Sequence, residues 1–165
     1  MVATRRRRVI VLTGPIGAGK TTLGRALART LGGCFIDGDD HALPGQPWYV
    51  SSLRTSRAIV EAAMTASTES GDVVVAYPLR CINWIYYRRR FAEAGAAMLV
   101  VNLHATFEQI VDAERGRVFD ERERCRIAEM IQQGYGARAF AATTVDTGSP
   151  PFAEALAELV KAVRR

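Results

Sequence analysis

Short, wholly apolar runs alternate along the chain with longer segments whose apolar residues recur every three or four positions. The short runs are Val9-Ile10-Val11-Leu12, Cys34-Phe35-Ile36, Val73-Val74-Val75-Ala76 and Met98-Leu99-Val100-Val101, with a weaker fifth at Thr143-Thr144-Val145. Apolar at successive positions, they predict strands buried on both faces, as in a parallel sheet. Helical spacing covers residues 22–31 (Leu23, Leu27, Leu31), 52–70, 84–94, 107–113 and 121–133, and a closing segment carries Phe152, Leu156, Leu159, Val160 and Val163. Gly32-Gly33, Gly71 and Gly95 end three of these helices. Ser51 or Ser52 reads as the cap of the helix that runs to Ser70. Residues 41–50, with Pro44, Gly45 and Pro47, read as loop. Strands alternating with helices predict an α/β fold, one parallel sheet with helices on both faces and right-handed crossovers. No repeat or low-complexity linker divides the chain, so residues 1–165 are expected to form one domain.

Composition narrows the class. With 165 residues, 48% apolar and 24% charged, the chain can bury a core without disulfides or structural metal. Its three cysteines form no CxxC pair and suggest no disulfide framework, so a reducing, cytoplasmic setting is expected. The two histidines give no metal-ligand spacing. The apolar run after Arg5-Arg6-Arg7-Arg8 stops at Thr13-Gly14-Pro15, too early for a secretory signal, and no stretch reaches transmembrane length. Much of the net charge of +5 sits in Arg5 to Arg8 and Arg164-Arg165. The first cluster reads as a solvated approach to a strand rather than a nucleic-acid contact. No nucleic-acid partner and no membrane are expected, and the chain should be a monomer or a weak dimer.

The most specific pattern is Gly14-Pro15-Ile16-Gly17-Ala18-Gly19-Lys20-Thr21, which matches G-x-x-x-x-G-K-[ST] in full. A strand runs directly in and a helix runs directly out. Gly17 and Gly19 permit torsions and close approach that a side chain would block. The loop N–H groups can then surround a β-phosphate, reinforced by the N-terminal end of the helix. Lys20 can reach the β- and γ-phosphates, Thr21 offers a hydroxyl to Mg2+, and Thr22 can meet the α-phosphate. These residues predict an ATP site with magnesium.

Two further clusters decide what such a site does. No guanine-reading Asn-Lys-x-Asp run follows a strand, which argues against a GTPase, and the strand at 73–76 does not end in an acid as a motor ATPase would require. Asp37-Gly38-Asp39-Asp40 follows the second strand, and ligands of such sheets bind beyond the carboxyl ends of strands. Asp39 is the candidate acceptor-binding residue and base, and Asp37 belongs to the magnesium shell. A bland Asp/Gly turn is the competing reading. Arg115, Arg117, Arg122, Arg124 and Arg126 follow the fourth strand, and Gly116 gives that segment freedom to move. Approximately residues 114–126 are expected to form a lid that closes over the nucleotide. Arg115 is assigned to nucleotide binding and Arg117 to neutralising charge on the transferring group. Glu121, Glu123 and Glu129 could instead simply pair with these arginines.

These residues together resemble the small P-loop kinases related to shikimate kinase and gluconate kinase, and more distantly adenylylsulfate kinase. The resemblance rests on residues 14–21, on Asp37-Gly38-Asp39, on the arginines near 115–124 and on Val145-Asp146-Thr147. It implies a three-layer P-loop NTPase fold with a five-stranded parallel sheet of order 2-3-1-4-5 and an arginine-bearing lid. It implies MgATP as donor and a small-molecule hydroxyl as acceptor, such as a sugar acid or cyclic polyol. It places adenine near residues 146–151. The chain departs from shikimate kinases in having Tyr77-Pro78-Leu79-Arg80 in place of a Gly-Gly-Gly segment and Leu53-Arg54-Thr55-Ser56 in place of a Phe-Arg-x-x-Glu pattern. It lacks a longer segment typical of gluconate kinases. Arg54 and Arg80 are the candidate substrate-binding arginines, with Arg57, Trp48 and Tyr77 as further acceptor contacts. A nucleoside, nucleotide or antibiotic phosphotransferase, or a regulatory nucleotide-binding module without transfer, are the alternatives.

Overall fold

The alternation of strand and helix predicted above is realised along the described residues. A computed structural model describes residues 7–45 and 48–165, with the backbone alone at 48–51. Arg5, Arg6, Gln46 and Pro47, and the side chain of Trp48, lie outside the described residues. The strands are β1 (Arg8–Thr13), β2 (Cys34–Asp37), β3 (Asp72–Ala76), β4 (Ala97–His104) and β5 (Thr143–Asp146). The helices are α1 (Lys20–Leu31), α2 (Trp48–Ser70), α3 (Cys81–Glu93), α4 (Phe107–Val111), α5 (Glu121–Gln132) and α6 (Phe152–Arg164). Short 3-10 turns occupy Gly38–His41 and Ala113–Arg115. The sheet has the order β2-β3-β1-β4-β5, and every pairing is parallel.

Strand side chains alternate between two cores. Val9, Val11, Val73 and Val75 enter one cluster with Ile59, Val60, Tyr87 and Phe91 of α2 and α3. Ile10, Leu12, Val74, Val101 and Leu103 enter the other, with Leu23, Leu27, Leu159 and Val163 of α1 and α6. A strand covered on both faces needs apolar residues at every position, which is why the runs carry no period-two alternation.

Several boundaries differ from the sequence reading. α2 begins at Trp48, so the loop expected over 41–50 is shorter and both serines lie inside the helix. Serine favours a cap without requiring one. α3 begins at Cys81 rather than Trp84. Its first turn is secured by Asn83, whose Oδ1 accepts from the Arg80 N–H at 3.3 Å while its amide donates to Ser56 Oγ at 2.7 Å. The segment 107–113 is a short helix followed by a 3-10 turn, because Asp112 adopts an extended conformation between them. Arg8 is not a solvated residue. Its guanidinium donates to both Asp72 oxygens at 3.1 Å, tying the start of β1 to the start of β3.

Candidate functional site

β1 points its carboxyl end at the glycine-rich loop, and α1 leaves from it at Lys20. Gly17 has φ 80°, and a Cβ there would stand 2.5 Å from Ile110 and 3.0 Å from Phe119. Glycine is thus required both by the torsion and by the element behind the loop. Lys20 Nζ donates to the carbonyls of Gly14 at 3.0 Å and Pro15 at 2.7 Å, folding over the loop. Burial lowers its pKa to about 8, with Asp39 and Asp37 pulling the other way. A half-buried ammonium whose only direct partners are two carbonyls, with carboxylates farther off, has room for stronger ones, which suits a group meant to meet phosphate oxygens.

The acidic turn stands opposite. Thr21 Oγ1 donates to Asp37 Oδ2 at 2.9 Å, and the Asp39 N–H donates to Asp37 Oδ1 at 3.2 Å. Asp37 therefore caps the turn and holds the hydroxyl at the start of α1. Gly38 is buried against Tyr77 and lies close to Ala76, where a Cβ would press on the ring and stand 2.9 Å from the Ala76 carbonyl. That contact seats the turn on the end of β3. Asp39 still meets solvent, yet partial desolvation, and then the charge of Asp37, raise its pKa above the ordinary carboxylate value. Both effects keep a proton acceptor closer to working pH.

Two cavities meet at these groups. The larger, about 750 Å3, is lined by the loop and α1 start, by Glu114, Arg115, Arg117, Phe119 and Glu123, and by the segment around Thr147 to Phe152. The smaller, about 190 Å3, is lined by Ala42, Thr55, Tyr77, Pro78, Arg126, Met130 and Tyr135. Ile16, Lys20 and Asp39 belong to both. Arg117 donates to Glu123 at 3.0 Å and lies over the Phe119 ring. Arg115 reaches the carbonyl of Thr147 at 3.1 Å, and the Thr147 hydroxyl lies 2.8 Å from the Ala18 carbonyl. The arginine segment, the 147 loop and the phosphate loop are thereby linked. Arg122 and Arg124 do not line either cavity. Arg124 stacks over Phe107.

Of the residues singled out in the sequence, Ile16, Gly17, Gly19, Lys20, Thr21, Thr22, Asp39, Arg115 and Arg117 line the larger cavity. Gly14, Pro15 and Ala18 are buried beneath it. Arg54 and Arg80 are exposed and line neither cavity. One residue along a helix turns the side chain by about 100°, so Arg54 points outward where Thr55 points inward. Thr55, Met130 and Tyr135 were missed. Thr55 carried a signal, because it extends the buried stripe of Ile59 and Ala63 by one helical turn. Among the described residues no cluster of three His, Cys, Asp or Glu could hold a metal ion, and no helix is long and apolar enough to cross a membrane. Mg2+ asks for little protein ligation when substrate phosphates supply the rest, so Thr21 and Asp37 fit it.

A phosphate loop at the carboxyl end of the central strand β1, in a five-stranded parallel sheet of order 2-3-1-4-5, defines the P-loop kinase fold. A family model for shikimate kinase matches residues 16–43. A shikimate kinase of Psychrobacter arcticus is 51% identical over 43 residues, which cover 26% of this chain and 19% of that protein. The matched segment thus spans about a fifth of that relative. A shikimate kinase of Geobacter metallireducens is 28% identical over 92% of this chain and 89% of its own length. The crystal structure of a gluconokinase from Sinorhizobium meliloti superposes with a TM-score of 0.68 at 23% identity, covering 96% of this chain and 98% of that one. The chain is similar to the small P-loop kinases of the shikimate kinase and gluconate kinase group.

Proposed function

We propose that the chain is an ATP-dependent phosphotransferase that moves the γ-phosphoryl group of MgATP to a hydroxyl of a small metabolite. The observation that carries this reading is that Lys20 and Asp39 line both cavities. A donor site and an acceptor site that share a cation and a carboxylate have the parts that in-line transfer needs at its centre.

ATP belongs in the larger cavity, with its phosphates on the loop and adenine toward residues 146–151. Lys20 binds the phosphate oxygens, and Arg117 offsets charge that builds on the transferring group. Mg2+, held through Thr21 and Asp37, would add positive charge at the phosphates. The acceptor hydroxyl lies at Asp39, which orients it and takes its proton. The hydroxyl oxygen forms a bond to the γ-phosphorus, the bond to the bridging oxygen breaks, and ADP leaves. The chain works as one kinase domain over residues 1–165, with residues 114–126 as its lid. The lid is supported by Arg115 and Arg117 facing the larger cavity while Gly116, at φ 76°, joins them.

The test is a thermal-shift screen of hydroxylated compounds in the presence of a nonhydrolysable ATP analogue and Mg2+, followed by ADP release with each hit. A true acceptor raises the melting temperature by mass action and stimulates ADP release. A chain that binds the analogue yet is stimulated by no hydroxyl compound is a nucleotide-binding module instead.

A further inference from the structure

Tyr77 follows β3 directly and brings a phenol to the smaller cavity. Its N–H donates to the Leu12 carbonyl at 3.1 Å, which carries the sheet one residue further. Its ring packs on Gly38, the residue between Asp37 and Asp39. Backbone and ring are thus both fixed against the turn that carries Asp39. Tyr77 is 6% exposed, and the cavity is where that surface lies. Its hydroxyl has no hydrogen-bond partner among the described residues, yet it is not sealed off as Thr55 Oγ1 is. Burial, then the charge of Asp39, then Tyr135, push its pKa above the ordinary phenol value. The phenol therefore stays protonated, a neutral O–H donor within reach of the Asp39 charge. A largely buried donor without a partner costs stability, and a ligand oxygen would complete it.

Resting on the transferase reading above, we infer that Tyr77 is a specificity-determining residue, whose O–H donates to a second oxygen of the acceptor while Asp39 holds the reacting hydroxyl. The Tyr77 ring and the Asp39 carboxylate flank a single residue, Gly38, so the two oxygens they meet are close together on the acceptor. The acceptor class is a polyol whose reacting hydroxyl has another oxygen one or two carbons away. An anionic group elsewhere on it is compatible with Lys20 and Arg126, which line the same cavity. The transferred group forms the phosphate ester at the hydroxyl held by Asp39, ADP departs, and the hydroxyl proton goes to the Asp39 carboxylate. The oxygen at Tyr77 is unchanged and the phenol keeps its proton.

The experiment measures ADP release by the full chain with saturating MgATP and a panel of probes: glycerol, D-glucose, D-gluconate, quinate, myo-inositol and adenosine. For the probe with the highest kcat/KM, each analogue lacking one hydroxyl is then compared in the parent and in Tyr77→Phe. In the parent, an analogue deoxygenated within two carbons of the phosphorylated position should lose about 3–10-fold in kcat/KM, the range of one neutral hydrogen bond. In Tyr77→Phe that penalty should vanish, because the intact probe loses the same factor, through KM more than kcat. The melting temperature without ligand should not fall, since the ring keeps its seat on Gly38. No such penalty in the parent, or a penalty undiminished in Tyr77→Phe, overturns the inference while the transferase reading stands. So does a loss confined to kcat with the penalty intact, which would place the phenol on Asp39 rather than on the acceptor. If MgATP binds but no probe stimulates ADP release, the transferase reading fails and takes the inference with it.

Discussion

Thr21 Oγ1 donates to Asp37 Oδ2 at 2.9 Å, joining the first turn of α1 to the end of β2. These are the two residues assigned to magnesium, and the bond holds them together across the mouth of the phosphate loop. Replacing Asp37 by Asn keeps the shape and removes the charge. The Mg2+ concentration for half-maximal activity should rise about 10–100-fold, the usual effect of losing an outer partner of a metal. Binding of metal-free ATP should change little. Titrating activity against Mg2+ for both proteins decides it, and an unchanged midpoint removes Asp37 from the metal site.

Lys20 makes ATP affinity dependent on pH in a defined direction. Its pKa in the free protein is lowered to about 8 from 10.5, and phosphate oxygens beside it would restore it. Below pH 8 the lysine is charged with or without ATP, so affinity is flat. Above pH 8 binding requires proton uptake, and affinity should fall by up to about tenfold per pH unit. Calorimetry at pH 9 in buffers of different ionisation enthalpy should register that uptake. The same shift means that folding favours the neutral lysine, so its contribution to stability rises between pH 8 and 10.5 and is unfavourable below. Lys20→Met should therefore melt higher than the parent at pH 7 while losing the stabilisation that ATP confers. A lower melting point without ligand contradicts this.

Gly38 seats the acidic turn against Tyr77 and the Ala76 carbonyl. Gly38→Ala introduces a methyl where no space exists and should cost about 1–3 kcal/mol, the range for overpacking. It should also move Asp39, so kcat should fall by more than stability alone explains. Denaturant titration alongside kinetics separates the two effects. Full activity in Gly38→Ala means the turn does not set the position of Asp39.

Arg117 is held in the free protein by Glu123 and the Phe119 ring, at the edge of the larger cavity. If it meets charge developing on the transferring group, Arg117→Ala should lower kcat about 10²–10³-fold with little change in ATP dissociation constant. A loss confined to ATP binding would give Arg117 a role in the ground state only.

What was legible in the sequence was what is contiguous. The phosphate loop and the Asp37-Gly38-Asp39 turn are local, and their chemistry depends on neighbours in the chain. The strand runs were legible because burial on both faces leaves no alternation to misread. The smaller cavity was not, since Ile16, Thr55, Tyr77 and Met130 come together only in the fold. Charge drew attention to Arg54 and Arg80, yet one position further along α2 lies the buried Thr55. Helix starts slipped for a related reason: Asn83 secures α3 through Ser56, a partner 27 positions away that local spacing does not reveal.

The convergence of Lys20 and Asp39 on both cavities is tested most directly by following the label from γ-32P-ATP into an acceptor found in the thermal-shift screen, with the parent and Asp39→Asn side by side. ATP affinity should be the same within a factor of about three, and transfer should fall by two or more decades, the scale of lost general-base catalysis. Undiminished transfer in Asp39→Asn would contradict the assignment of Asp39 as the group that receives the hydroxyl proton.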